Sequence, residues 1–199
     1  MTKQVDYYIC LISPYTYMGD ARLNEIAEKF NVDVNYKPVN LGQIFPETGG
    51  LPLGKRAPAR QAYRMQELER WRDFLGLPLN TAPAHFPAAE WPAAGMVIAA
   101  KQQGMNCGDL VNGFLSAVWA EERDISDKDT MIAIANERGF DGNSLFEAAE
   151  APSIRDIWEA NSSEALAAGV FGAPTYVFDG QLYWGQDRLD FLERGLAAS

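Results

Sequence analysis

Sulfur and imidazole are scarce in this sequence. The two cysteines, Cys10 and Cys107, lie far apart and form no Cys-x-x-Cys motif, which excludes the usual signatures of a disulfide framework and of a cysteine zinc site. The single histidine, His85, lies in a proline-rich stretch, where it builds neither a histidine-rich metal cluster nor a well-positioned Ser-His-Asp triad. We therefore expect no metal site and no hydrolytic triad.

Long apolar runs are also missing. No stretch approaches the roughly 20 apolar residues of a membrane-spanning helix, and the run from Tyr7 to Ile12 is too short for the core of a signal peptide. The formal net charge of -10 at pH 7 disfavours nucleic acids and anionic membranes as partners, although it permits a local basic pocket. These features predict a cytoplasmic protein that binds neither nucleic acid nor membrane.

The first forty residues have the pattern of a βαβ unit. An apolar, β-branched and aromatic run over residues 5–12 predicts a strand. Ser13-Pro14 is a typical helix start, and the helix is predicted to extend to residue 30. Residues 32–39 predict a second strand. A strand, a helix and a strand in this order give two parallel strands joined by a right-handed crossover.

The remaining residues divide into a helical block and a C-terminal hairpin. Residues 40–57 are rich in glycine and proline and are predicted as a loop. Residues 175–178 and 181–184 predict two antiparallel strands around the turn Asp179-Gly180, followed by a final helix. Between the loop and the hairpin, helices are predicted over residues 58–76, 91–104, 107–122, 127–138, 142–149 and 153–168.

The two ends of the chain together predict an α/β fold. A βαβ unit and a β-hairpin combine into a mixed four-stranded sheet, which is a thioredoxin-like arrangement. We assign residues 1–57 and 165–199 to a thioredoxin-like domain, and residues 58–164 to an all-helical insertion between its two halves.

The tetrapeptide Ser13-Pro14-Tyr15-Thr16 lies where a thioredoxin fold carries the first cysteine of its redox motif. A serine at this position excludes disulfide exchange there, because that reaction requires a thiolate. The Ser13 hydroxyl could instead donate a hydrogen bond to a bound thiolate, next to the partial positive charge of a helix N-terminus. The alternative interpretation is an ordinary helix cap.

Two C-terminal segments offer further ligand contacts. Ala173-Pro174 is a candidate cis peptide bond, and the residue before such a proline can present its backbone to a peptide; a plain strand start is the alternative. Gly185-Gln186-Asp187 is predicted to open a helix whose N–H groups could bind a carboxylate while the Asp187 carboxylate pairs with an ammonium; a simple dipole-stabilising acid is the alternative. A thiol, a peptide backbone and an α-amino-acid end match glutathione, so glutathione is the predicted cofactor.

Three arginines continue the apolar face of the first predicted helix of the insertion. Arg56, Arg60 and Arg64 fall on one stripe at about 100° per residue. We interpret them as residues that help to hold an anionic substrate. Ion pairs of Arg60 or Arg64 with Glu67 are the alternative.

Three segments of this chain resemble one known family. Residues 6–17, 57–71 and 169–189 are similar to the 2-hydroxychromene-2-carboxylate isomerases, relatives of kappa-class glutathione transferases and of bacterial Dsb-type thiol oxidases. The last segment is the most specific, because Phe-Gly-x-Pro-Thr followed by Trp-Gly-x-Asp-Arg-Leu is hard to meet by chance. The resemblance covers nearly the whole chain. It implies a homodimer that uses glutathione to isomerise a cyclic hemiketal carboxylate to an open-chain benzylidene pyruvate in aromatic-hydrocarbon breakdown.

The resemblance also implies roles for individual residues. Ser13 matches the active serine that contacts the glutathione sulfur, and Ala173, before Pro174, matches the residue that holds the glutathione backbone. Residues 184–187 match the segment around the γ-glutamyl end. Some members have an asparagine near the position of Gly54, which this chain lacks, so the glutathione site transfers better than the substrate site. The predicted glutathione contacts are Ser13, Ala173, Pro174, Trp184, Gly185, Gln186 and Asp187, and the predicted substrate contacts are Tyr15, Lys55, Arg56, Arg60 and Arg64.

Two other functions stay open at this point. One is a kappa-like glutathione transferase or peroxidase that acts on a different electrophile. The other is a non-catalytic thioredoxin-like binding module. The partner in the enzymatic cases is a small aromatic carboxylate or another electrophilic small molecule.

Overall fold

The sheet at the centre of the molecule joins the two ends of the chain. The computed structural model describes residues 3–199. The strands lie in the order β2-β1-β3-β4, with β1 and β2 parallel and the other neighbours antiparallel. The predicted mixed sheet is confirmed. The strands are β1 (Lys3–Ile9), β2 (Val32–Pro38), β3 (Thr175–Phe178) and β4 (Gln181–Trp184).

Helices surround this sheet and fill the interval between its halves. Short 3-10 turns lie at Leu53–Lys55 and Gln186–Arg188. None of the helices in the described part of the chain is both long and apolar enough to cross a membrane. The helices are α1 (Pro14–Phe30), α2 (Leu41–Thr48), α3 (Pro58–Leu75), α4 (Ala93–Gln102), α5 (Gly108–Trp119), α6 (Lys128–Glu137), α7 (Gly142–Ala149), α8 (Pro152–Ala167) and α9 (Leu189–Ala198).

Two details differ from the sequence-based expectation. The segment predicted as a loop over residues 40–57 contains α2, which begins at an Asn40 side chain that accepts a hydrogen bond from Gly42 N–H and ends at Gly49 with φ of 75°. Burial of Ile44 anchors this helix against the body of the protein and overrides the weak local pattern. The first strand ends at Ile9, because the chain turns through residues 10–13, where Ser13 N–H donates to the Cys10 carbonyl.

The two faces of the sheet pack against different helices. Tyr7 and Tyr176 stack on one face, with ring centroids 5.0 Å apart, on the side covered by α1. Tyr8 lies on the opposite face, where it packs with Val170 and with Ala165 of α8. This alternation follows from the period of two in a strand, and burial on both faces explains the continuous apolar run in β1. The predicted domain boundary between residues 164 and 165 lies inside α8.

A buried carboxyl group lies on the inner face of α1. Asp20 is fully buried, and it accepts a hydrogen bond from the Asn112 amide at 3.3 Å. Burial raises the pKa of Asp20 to about 7, because the charged form loses its hydration, while the Asn112 hydrogen bond opposes this shift. The folded protein therefore binds a proton at Asp20 over a pH range in which the unfolded chain has released it.

The substitution Asp20→Asn should flatten the pH dependence of stability. An unfolded aspartate titrates near pH 4, so native Asp20 stabilises the fold most below that pH, and this stabilisation is lost as the pH rises through about 7. The free energy of unfolding of the wild type should fall by about 2–3 kcal/mol between pH 5 and pH 8 through this residue alone. Urea unfolding of both proteins at the two pH values measures the effect, and an equal fall in both would contradict it.

Candidate functional site

A cavity of about 920 Å³ is lined by several of the chemistry-bearing residues. It lies where β1 ends and β3 begins, below α2 and beside the first turns of α3. Small-molecule sites usually have volumes of roughly 300–1,000 Å³. The position is the edge at which open α/β sheets bind ligands, beyond the carboxyl end of a parallel strand.

Ser13 lies in the wall of this cavity and caps α1. Its backbone is extended, with φ of -87° and ψ of 123°, and its hydroxyl oxygen accepts a hydrogen bond from Thr16 N–H at 3.3 Å. The same hydroxyl donates to the Ala173 carbonyl at 3.4 Å. Both hydrogen bonds are long, so the hydroxyl proton can turn towards a ligand at little cost. In this geometry Ser13 can cap α1 and also face the cavity with its hydroxyl.

Ala173 and Pro174 lie opposite Ser13. The peptide bond between them is cis, which the sequence had offered as a candidate. Within residues 3–199 no group accepts a hydrogen bond from Ala173 N–H, whereas the Pro174 carbonyl is bound by Gly185 N–H at 2.9 Å. Ala173 lines the cavity, and Pro174 itself is buried behind it. The cavity residue Ala173 therefore has a backbone N–H with no acceptor among these residues and a carbonyl that accepts only the long hydrogen bond from Ser13.

The segment after β4 is only partly brought to the cavity. Trp184 lines the cavity and packs on Phe171, with ring centroids 4.7 Å apart. Gln186 is buried against α1, where its Cβ leaves no room for a larger residue at Gly19. The exposed Asp187 carboxylate pairs with Arg188 at 2.8 Å. Of the predicted residues in this segment, the structure places Trp184 in the cavity wall and leaves Gly185, Gln186 and Asp187 outside it.

Three arginines form one side of the cavity. Arg56, Arg60 and Arg64 line it, as does Tyr15, whereas the exposed Lys55 lies outside the lining. The structure thus brings four of the five predicted substrate contacts together. Helical periodicity explains the result for Arg60 and Arg64, because residues four apart lie on one face of α3.

Arg64 is the most deeply buried of these cations. Its side chain is 8% exposed, and its guanidinium lies 5.6 Å from the Phe86 ring centroid and 5.9 Å from the Trp119 ring centroid. The alternative ion pair with Glu67 is wrong, because Glu67 binds Arg70 at 2.6 Å and Arg64 forms no salt bridge in the described part of the chain. Burial lowers the pKa of Arg64. Aromatic faces stabilise this cation, but no acid neutralises it.

The cysteines do not supply a nucleophile. Cys10 and Cys107 are both free and buried. Burial raises the pKa of the Cys10 thiol well above its ordinary value and that of Cys107 to about 11, which keeps both thiols protonated near neutral pH. Among residues 3–199 no group of three histidine, cysteine or acidic side chains is placed to hold a metal ion.

Glu90 is a cavity residue that the sequence analysis missed. It lies in the connection between α3 and α4, lines the cavity, and accepts a hydrogen bond from Leu11 N–H at 2.6 Å. Burial raises the pKa of Glu90 to about 7, although the hydrogen bonds from Leu11 and Cys10 oppose this shift. A single glutamate among prolines and alanines resembles a surface residue, so the local sequence carried no signal for it.

Comparison with known proteins gives consistent matches along nearly the whole chain. The model of the DSBA-like thioredoxin domain matches residues 4–197. A 2-hydroxychromene-2-carboxylate isomerase of Sphingobium xenophagum is 29% identical over 97% of each chain. Glutathione S-transferase kappa 1 of Homo sapiens is 22% identical over 96% of this chain and 90% of its own. These matches confirm the resemblance found in the sequence.

Solved structures show the same fold. A 2-hydroxychromene-2-carboxylate isomerase superposes with a TM-score of 0.82 at 23% identity, covering 98% of this chain and 95% of the other. The cytosolic disulfide reductase DsbM from Pseudomonas aeruginosa, solved with GSH, superposes with a TM-score of 0.69 at 19% identity, covering 98% of this chain and 99% of the other. The thioredoxin-like fold predicted from the sequence is therefore confirmed.

The substitution Ser13→Ala should destabilise the protein by about 1 kcal/mol, because the Thr16 N–H loses its capping oxygen. Asp127→Ala is a matched control, since the Asp127 side chain caps α6 in the same way and lies outside the cavity lining. Chemical unfolding should give similar losses for both variants. A loss above roughly 3 kcal/mol for Ser13→Ala alone would mean that Ser13 is chiefly a structural residue of the core.

Proposed function

Because the chain belongs to the DSBA-like thioredoxin domain family, we propose that it is a glutathione-dependent isomerase of the 2-hydroxychromene-2-carboxylate type. Such an enzyme interconverts a cyclic hemiketal carboxylate and an open-chain benzylidene pyruvate. The observation that carries the proposal is a serine hydroxyl, rather than a thiol, at the N-terminus of α1, facing Ala173 before a cis proline across one cavity. The similarity to proteins named as such isomerases supports it.

The cavity has the groups that a tripeptide thiol requires. Ala173 offers an N–H and a carbonyl that can pair with the peptide backbone, in the manner of an added strand. Ser13 lies next to this backbone, where a cysteinyl side chain would point. Ser13 and Ala173 would hold glutathione here, and its thiolate would supply a nucleophile for reversible addition to the conjugated substrate.

Ser13 and α1 favour the thiolate over the thiol. The hydroxyl donates a hydrogen bond to the sulfur once it turns away from the Ala173 carbonyl. The N-terminus of a helix carries a partial positive charge, which stabilises a nearby anion by about 0.3–1 kcal/mol or more where the site is partly buried. Both effects lower the pKa of a thiol at this position, as they do for the cysteine of redox-active relatives of this fold.

Arg64 is the residue best placed to bind the carboxylate of the substrate. A buried cation without a counter-ion is costly, and an anionic ligand removes that cost by supplying the missing charge. Arg56 and Arg60 extend the basic surface towards solvent. The local excess of positive charge attracts a carboxylate, even though the protein as a whole has a formal net charge of -10.

The γ-glutamyl end of glutathione is assigned to the segment that begins at Trp184. The indole of Trp184 lies at the cavity, and the exposed Asp187 follows three residues later. Pairing of the α-ammonium with Asp187 requires this carboxylate to leave Arg188, an exposed neighbour whose ion pair contributes little stability. The homodimer implied by the family stays a prediction.

A kappa-like glutathione transferase is the second candidate function. It is supported by the similarity to the human kappa enzyme along 96% of this chain, and by the absence of an asparagine near Gly54 in the substrate region. Both candidates share the glutathione site and differ in the electrophile. Assays of isomerisation and of glutathione conjugation on the same preparation separate them.

Calorimetric titration with glutathione tests the shared part of the proposal. We expect binding in the micromolar to millimolar range, or roughly 4–8 kcal/mol. Ser13→Ala should retain binding but shift the appearance of the thiolate ultraviolet band to higher pH, because the hydrogen bond to sulfur is gone. Asp127→Ala controls for the lost helix cap and should titrate as the wild type does. No heat with millimolar glutathione would refute the cofactor assignment.

Replacement of Arg64 by methionine tests the assignment of the substrate carboxylate. The KM for 2-hydroxychromene-2-carboxylate should rise roughly tenfold to a hundredfold, which corresponds to the loss of one charge-assisted hydrogen bond. Glutathione affinity should change much less. Arg70→Met is the matched control, because Arg70 is exposed and pairs with Glu67 away from the cavity. An unchanged KM in a folded Arg64→Met protein would place the carboxylate elsewhere.

A further inference from the structure

Glu90 is fixed to the same turn that carries Ser13. One carboxylate oxygen, Oε1, accepts from Leu11 N–H at 2.6 Å, and the other, Oε2, accepts from the Cys10 thiol at 3.4 Å. The Cys10 carbonyl in turn accepts from Ser13 N–H at 3.0 Å. The carboxylate and the serine therefore belong to one hydrogen-bonded unit and line the same cavity.

The surroundings of Glu90 offer no compensating charge. The groups that face its carboxylate are the Leu11 amide and the Cys10 thiol, which burial keeps protonated. Within residues 3–199 the carboxylate forms no salt bridge, although the cations Arg56, Arg60 and Arg64 and the phenol Tyr15 line other parts of the cavity. A carboxylate in such a place is compensated chiefly by binding a proton of its own.

On the basis of the proposed function, we propose that Glu90 is the base that accepts the thiol proton of glutathione when the thiol ionises beside Ser13. The S–H bond breaks, an O–H bond forms on the Glu90 carboxylate, and the electron pair stays on sulfur. The net charge within the cavity does not change in this step. Glu90 returns the proton when the thiol re-forms.

Electrostatics favours this transfer over release of the proton to water. A thiolate and a carboxylate in one cavity repel each other, so formation of the thiolate raises the pKa of the neighbouring carboxyl. The pKa of Glu90 is already raised to about 7, which is suitable for proton exchange near neutral pH. Ser13 can stabilise the thiolate, but a serine hydroxyl that donates a hydrogen bond to the sulfur cannot also accept the thiol proton. Ser13 therefore stabilises the thiolate, and Glu90 accepts the proton.

The experiment counts protons released to the buffer for each thiolate formed. Titrations with glutathione in buffers of different ionisation enthalpy give the released protons, and the ultraviolet band of the thiolate gives the amount of thiolate. At about pH 8 most free Glu90 is ionised and can take up a proton, so the wild type should release about zero protons per thiolate. Glu90→Gln should release about one proton per thiolate, because its amide has no basic oxygen.

Asp20→Asn is the matched control for this measurement. Asp20 has a similarly raised pKa of about 7 but lies in the core, outside the cavity lining, so its loss should leave the wild-type ratio unchanged. A merely structural role of Glu90 would weaken binding without changing the ratio.

Three outcomes would overturn the inference. A ratio of about one in the wild type shows that the proton leaves for water, and this result needs no variant. Equal ratios in the wild type and in Glu90→Gln exclude Glu90 as the acceptor while leaving the glutathione site intact. Failure of the wild type to bind glutathione overturns the proposed function together with this inference.

Discussion

The antiparallel pairing of β1 with β3 is the constraint on which the site depends. Tyr8 pairs with Thr175, and because the two strands run in opposite directions, the end of β1 lies beside the beginning of β3. Ser13 follows β1 and Ala173 precedes β3, so the pairing of these two strands brings together two residues 160 positions apart in sequence. A slip of one residue would move the side chains of the slipped strand to the opposite face of the sheet and shift the serine relative to the cis-proline segment. The active geometry is thus a consequence of sheet register rather than of the loops alone.

One side of the cavity carries positive charge, although the net charge of the whole molecule is negative. The surface is strongly acidic overall, yet α3 contributes arginines to one side of the cavity, and Arg64 is buried there without an acid. Glu90 lines the same cavity and accepts a hydrogen bond from Leu11 in the turn before Ser13. Burial lowers the pKa of Arg64 and raises the pKa of Glu90, so it disfavours the charged form of each group.

The fold is shared with proteins of different chemistry, and the site distinguishes them. The DsbM structure is described as a disulfide reductase, whereas this chain has serine at the N-terminus of α1 and keeps Cys10 and Cys107 buried as thiols. The framework of sheet, helix N-terminus and cis proline is compatible with more than one chemistry, because function depends on the residues at the site and not on the fold. In this chain a serine hydroxyl lies at that helix N-terminus, hydrogen-bonded to Ala173 beside the cis peptide bond.

The sequence by itself determined the features that depend on near neighbours. Ser13-Pro14 started a helix and Asp179-Gly180 turned a hairpin with φ of 49° and 71°, because each is a local preference of the backbone. Only the tertiary structure decided that residues 41–48 form a helix, that Gln186 turns inward, and that Glu90 meets the turn before Ser13. These outcomes depend on burial and charge contributed by segments distant in sequence. A short stretch of sequence does not show which distant residues will bury a given side chain.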